Sequence, residues 1–131
     1  MTGTPRPPLA PVRYHGEPPH TVHTITSGVW LPLVHRVRHS PTGYSWGYAG
    51  SGPADLARSL LWDALGAEPH PSLYQRYKRE VVAYWDEASP WDTDRDTVRT
   101  WVLDCVQHPD ADLVVVLATG APLLREDDGA D

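Results

Sequence analysis

Phenylalanine is absent from this chain, and cysteine and methionine occur once each. A single thiol, Cys105, excludes an intramolecular disulfide framework and the thiolate clusters of structural zinc modules, and it suits a reducing cytoplasm. No run approaches the roughly 20 apolar residues of a bilayer span, and the N-terminus is proline-rich where a signal peptide would be apolar. The expectation is a soluble cytoplasmic protein with no membrane partner. Excess positive charge is missing as well. The formal net charge of -6 argues against general affinity for nucleic-acid backbone, because phosphate neutralisation needs Lys and Arg clustered on one face. The charge is uneven, with four Arg and one Glu in residues 1–50 and the acidic excess in the second half and tail.

What is present is enough for one domain. The 131 residues are 40% hydrophobic, and six Trp and six Tyr supply aromatics that carry a polar handle. Such residues suit interfaces and half-buried positions, and small domains also use them to fill cores. Six of the fourteen prolines fall in residues 1–19, so residues 1–12 read as a flexible arm, 13–118 as one globular unit and 119–131 as an acidic disordered tail.

Thr21 to Thr26 is a β-branched alternation and reads as a strand. After the Ser27-Gly28 turn, Trp30 to His39 reads as a second strand, with Leu33, His35, Val37 and His39 on one face. A first helix opens near Gly52-Pro53, with Asp55 in its first turn, Leu56, Ala57, Leu60, Leu61, Ala64 and Leu65 on its apolar side, and Gly66 as its stop. A second helix is expected from Ser72 to Trp85, with an aromatic stripe of Tyr74, Tyr77, Tyr84 and Trp85, and with Arg76 set against Glu80. Thr93 caps a third, whose stripe is Val98, Trp101, Val102 and Cys105, and Pro109 ends it. Leu113 to Leu117 is an unbroken apolar run of strand length that either adds to a sheet or seeks a partner chain. The sum is an α+β fold, a small antiparallel sheet packed against about three helices.

The candidate ligand loop is Trp46, Gly47, Tyr48, Gly50, Ser51 and Gly52, a glycine-rich turn running into a helix N-terminus where amides attract anions. Neither a Walker loop nor a dinucleotide fingerprint is present, and Pro53 removes a donor. The rival reading is a strand-to-helix junction in which Trp46 and Tyr48 plug into the core. For metals, His20, His23, His35 and His39 lack acidic partners at ligand spacing, and Cys105 with His108 lacks a second pair. No metal or cofactor is expected. Catalysis finds no complete constellation, since Gly50-Ser51-Gly52 is not a nucleophile elbow and Cys105 lies on an apolar stripe, so no catalytic residue is assigned. Candidate interface residues are Trp62 with Arg58 one turn earlier, and Leu113, Val115 and Leu117. Arg36, Arg38, Arg76 and Arg79 are the residues a nucleic-acid reading would need.

His39-Ser40-Pro41-Thr42-Gly43-Tyr44, Trp46-Gly47-Tyr48, Gly50-Ser51-Gly52-Pro53, Asp63-Ala64-Leu65-Gly66 and Tyr74-Gln75-Arg76-Tyr77-Lys78 together resemble the bacterial domain of unknown function 6166 family. The resemblance runs from about Leu33 to Val102 and brings no activity, ligand or catalytic residue with it. Trp62 departs from the family's pattern, where a small residue is expected, and residues 113–131 lie beyond the shared part. The leading expectation is a non-enzymatic interaction or accessory domain with a protein partner or self-association, in a mobile-element or host-defence setting suggested by the resemblance. The alternative is a small-ligand or nucleotide-binding domain centred on the glycine-rich turn.

Overall fold

The computed structural model describes residues 10–125. Most of the proline-rich arm, residues 1–9, and the end of the acidic tail, residues 126–131, therefore lie outside the described residues. The chain begins with three consecutive antiparallel strands, β1 (Val12–Glu17), β2 (Thr21–Thr26) and β3 (Val29–Pro32). Strand β1 starts where the arm was expected to end, and it alternates: Val12 and Tyr14 are buried while Arg13 and Glu17 are exposed. Ser27 and Gly28 both have positive φ, 49° and 77°, the two-residue hairpin turn whose twist matches the flanking strands.

The expected ten-residue second strand is shorter. Ladder pairing stops at Pro32, and only the Leu33 N–H still donates to the Val22 carbonyl, at 3.0 Å. Beyond it the chain leaves the sheet because its amides are taken by the first helix, α1 (Ser51–Leu65). Gly50 rather than Gly52 is the N-cap of α1, and Gly66 ends it with φ 73° and its N–H on the Trp62 carbonyl. Every residue from Gly52 to Leu61 is buried, so α1 is the central helix and even its polar Asp55, Arg58 and Ser59 face protein.

A two-residue strand, β4 (Glu68–Pro69), leads into α2 (Pro71–Glu80). The second helix was expected to reach Trp85. It stops earlier because Val81 leaves helical geometry, and a single 3-10 turn, Val82–Tyr84, follows. The Val82 carbonyl there accepts the Gly47 N–H at 3.1 Å, and Tyr84 points outward at 82% exposure, so the buried aromatic stripe ends at Tyr77. Strand β5 (Trp91–Asp94) then returns to pair with β1, giving the sheet order β3-β2-β1-β5. Helix α3 (Arg95–Gln107) is capped by Asp94, which accepts the Thr97 N–H at 2.7 Å, and not by Thr93, which belongs to the strand. Val98, Val102 and Cys105 are buried, and Trp101 packs edge-on to Tyr77 at 4.9 Å.

Leu113 to Leu117 is not a strand. It lies within α4 (Ala111–Thr119), capped by Asp110, which accepts the Leu113 N–H at 2.9 Å, and closed by left-handed Gly120 with φ 75°. A cap at each end and contact with α2 outweigh the few tenths of a kcal/mol by which each valine disfavours a helix. Residues 119–125, read as the start of the tail, close the fold instead: β6 (Leu124–Arg125) pairs with β4, and the His70 N–H donates to the Leu123 carbonyl at 2.8 Å. The architecture is α+β, with one face of the antiparallel sheet against the helices and a core centred on Tyr14, Trp46, Leu56, Leu60, Leu73 and Val98.

Candidate functional site

The glycine-rich turn is built by close approach. Trp46 is 1% exposed, meets Trp91 edge-on at 5.7 Å and donates its indole N–H to the Asp86 carbonyl at 3.1 Å. Gly47 has φ 89°, and a Cβ there would lie 2.7 Å from Glu87 Cβ. A Cβ on Gly52 would collide with the Ser45 side chain, whose hydroxyl hydrogen-bonds the Tyr48 hydroxyl at 2.8 Å. The turn is thus a packed junction between α1 and the Trp85–Trp91 stack. Trp46 has no exposed face on which a base could stack, whereas Tyr48 lies at the surface.

Sequence reasoning placed Asp55 in the first turn for its charge, but α1 starts at Ser51 and Asp55 lies beyond that turn, where it serves the preceding segment instead. The carboxylate is wholly buried and accepts the His39 N–H at 2.8 Å, the Ser40 N–H at 2.9 Å, the Arg38 N–H at 3.2 Å and the His35 ring at 2.8 Å. Burial by itself would raise its pKa, yet the His35 contact and the three amides hold it below the ordinary carboxylate value. Ser59 adds a strap, its hydroxyl accepting the Arg36 N–H at 2.9 Å. The segment 35–40 is fastened to α1, and this fixes where Arg36 and Arg38 stand. The His39 ring in turn hydrogen-bonds the Tyr74 hydroxyl at 2.8 Å, and burial raises the pKa of that phenol. The expected shared strand face of His35 and His39 is replaced by these two separate partnerships.

Arg58 is not an exposed anchor. It is 7% exposed, donates from both terminal nitrogens to Glu68 Oε2 at 3.2 and 3.1 Å, and gives its Nε–H to the Arg36 carbonyl at 3.2 Å. Its guanidinium lies 4.9 Å from the centre of the Trp62 ring, and that of Arg36 lies 4.4 Å from the same ring. Trp62 is therefore a platform for two cations. Among the remaining interface candidates Leu113 is fully buried, a correction, while Val115 and Leu117 stay exposed on α4 beside Val114. Arg76 and Arg79, the α2 half of the basic set, bond to Glu80 at 2.7 Å and Asp110 at 3.4 Å respectively.

The larger apolar exposure was not anticipated. Val29, Trp30 and Leu31 of β3 are each more than half exposed, and Val34 and Val37 continue the ridge. The register sets Trp30 opposite Ile25 on the sheet face turned away from the helices, where its ring meets His15 and His23 edge-on at 5.5 and 5.6 Å. His15 also bonds Asp92 at 2.7 Å and Glu17 at 2.9 Å, and the hydrogen bonds to Glu17 and Asp92 raise its pKa above the ordinary histidine value. Among the described residues β3 has no strand on its outer edge. The signal in the sequence was the uncharged run Val29 to Val34, which the periodicity reading assigned to a longer and better covered strand.

Among the described residues no three His, Cys, Asp or Glu side chains gather as metal ligands. Cys105 is buried, and burial pushes its thiol up to about 11, the state of an inert core thiol. No significant match to a curated protein or to a solved structure accompanies the chain. A family model does match, over residues 14–104, which run from the middle of β1 through most of α3 and contain the glycine-rich turn, Asp55 and Trp62. The chain belongs to the family of unknown function DUF6166.

Proposed function

We propose that this domain is a non-enzymatic interaction module, and that its docking surface is the outer edge of β3 with the apolar ridge that follows it. The observation that supports this reading is the exposure of Val29 (56%), Trp30 (52%) and Leu31 (58%) on an edge strand, continued by Val34 (60%). Edge strands that stay alone are blunted by charge, bulges or a covering segment, and between Val29 and Val34 only Pro32 serves that purpose. The occupant is a second copy of the chain, paired antiparallel β3 to β3. A two-fold axis between the two β3 strands makes the same short, uncharged edge complementary to itself and joins two four-stranded sheets into one. Burying side chains of this size contributes about 1.5–3 kcal/mol each before association costs are subtracted.

Light scattering across a wide concentration range tests it. Dimer mass is expected for the natural chain and monomer mass for Leu31→Lys, which places a charge at an exposed position and leaves the core intact. Monomer mass for the natural chain at every concentration, or an undiminished dimer in Leu31→Lys, would overturn the proposal.

A further inference from the structure

A cavity of about 370 Å³ opens where β4, the start of α2 and β6 meet, and no residue of β3 lines it. Arg38, Arg58 and Arg125 line it, with His70 at the cap of α2 and one carboxylate, Glu68. Three segments distant in sequence thus bring three guanidiniums to one concavity in a chain whose net charge is -6. That local reversal of sign is the central observation.

Glu68 is already engaged by both terminal nitrogens of Arg58. Among the described residues no side chain hydrogen-bonds or ion-pairs with the guanidinium of Arg38 or Arg125, so their two positive charges have no counter-charge among those residues. The arrangement is also prepared. The Asp55 carboxylate holds the Arg38 backbone, and Arg58 is fixed by the Arg36 carbonyl, Glu68 and the faces of Trp62 and Tyr74. Arg58 is thus held in place beside the site, and the unengaged guanidiniums of Arg38 and Arg125 offer paired N–H donors with the spacing of a carboxylate or phosphate. The amides of α2 contribute little, because Pro71 has none and His70 Nδ1 takes that of Ser72. Recognition therefore belongs to the side chains. The remaining wall is apolar, from prolines and an alanine of the same segments, and the volume falls within the range of small-molecule sites.

We infer that this cavity binds a small organic phosphate, with the dianionic group held by Arg38 and Arg125 beside Arg58 and the carbon portion against the proline-rich wall. None of the lining residues belongs to the glycine-rich turn or to β3, and the test reads ligand binding, not the mass of the self-associated chain.

Isothermal titration of the full chain at low ionic strength, with inorganic phosphate, ribose 5-phosphate and uncharged ribose as probes, decides it. Phosphate and ribose 5-phosphate are expected to bind and ribose is not. Arg38→Gln and Arg125→Gln should each weaken binding about tenfold or more, the equivalent of one charge-assisted hydrogen bond, while Arg99→Gln on α3 leaves it unchanged. Circular dichroism of each variant confirms the fold, which these two guanidiniums do not brace. Failure of both phosphates to bind at low salt, binding undiminished from the natural chain in Arg38→Gln or Arg125→Gln, or an equal loss in Arg99→Gln would overturn the inference.

Discussion

Asp55 shows how one side chain can set the course of a segment. Its two oxygens satisfy three consecutive amides, at Arg38, His39 and the buried Ser40, and without Asp55 these and the His35 ring would lose their acceptor. Asp55→Ala should therefore lower unfolding free energy in a urea titration by about 3–5 kcal/mol, the cost of leaving buried polar partners uncompensated. The pH dependence has a definite sign. Because the folded pKa is depressed, the stabilisation is complete above the unfolded value near ~3.9 and disappears as pH falls through the lower folded value. Asp55→Asn should accordingly show a shallower loss of stability on acidification than the natural chain. Gly47 acts by what it lacks: Gly47→Ala combines a strained φ with a 2.7 Å approach to Glu87 and should cost at least about 1–3 kcal/mol by the same titration. The sequence marked the turn that holds Gly47 as unusual and read Asp55 only as a helix-start charge. It did not disclose that the turn serves packing, since the partners of Gly47 and Trp46 lie some forty residues away, at Glu87 and Asp86.

Among the elements, α1 and α3 were legible because helical spacing agreed with the left-handed glycine stop of α1 and with the acidic start of α3, although the caps fell on Gly50 and Asp94, not on Gly52 and Thr93. The run Leu113 to Leu117 was misleading because five consecutive apolar residues carry no period, and length alone suggested a strand. Its caps decided the matter, Asp110 before it and Gly120 after it. A helix buries only one side of that run, which gives a differential expectation. Leu113→Ala should cost about 2–5 kcal/mol, whereas Val115→Ala, at 62% exposure, should stay within about 0.5 kcal/mol in thermal or urea unfolding. Comparable losses at both positions would contradict the helical assignment. Strand β1 was missed for the opposite reason. Its Val-Arg-Tyr-His-Gly-Glu alternation is regular, but with prolines on both sides the segment was given no element, although all of it but Val12 was placed in the globular unit.

In the whole molecule the β-sheet ties together the two ends of the family-matched region, since β1 pairs with β5 across most of the chain. His15 bridges that seam through Asp92 on β5. Its raised pKa makes the contribution present below the unfolded value near ~6.5 and lost as pH rises through the higher folded value. The destabilisation caused by His15→Gln should be largest in mildly acidic solution and shrink above neutrality, as pH-dependent unfolding would record. The two proposed surfaces also belong to this scale. Arg38 and Arg58 lie within the family-matched residues and Arg125 lies outside them, so the cationic cavity exists only because β6 folds back onto β4. Composition and local pattern by themselves determined the α+β class, the central helix, the family membership and the absence of a disulfide framework, because these depend on neighbours a few residues apart. Tertiary structure alone decided that Arg58 is buried, that the glycine-rich turn is a packed junction, and that β3 stands exposed at an edge. Each of those outcomes depends on which distant segment arrives to satisfy a charge, fill a gap or cover an edge, and no local spacing encodes that arrival.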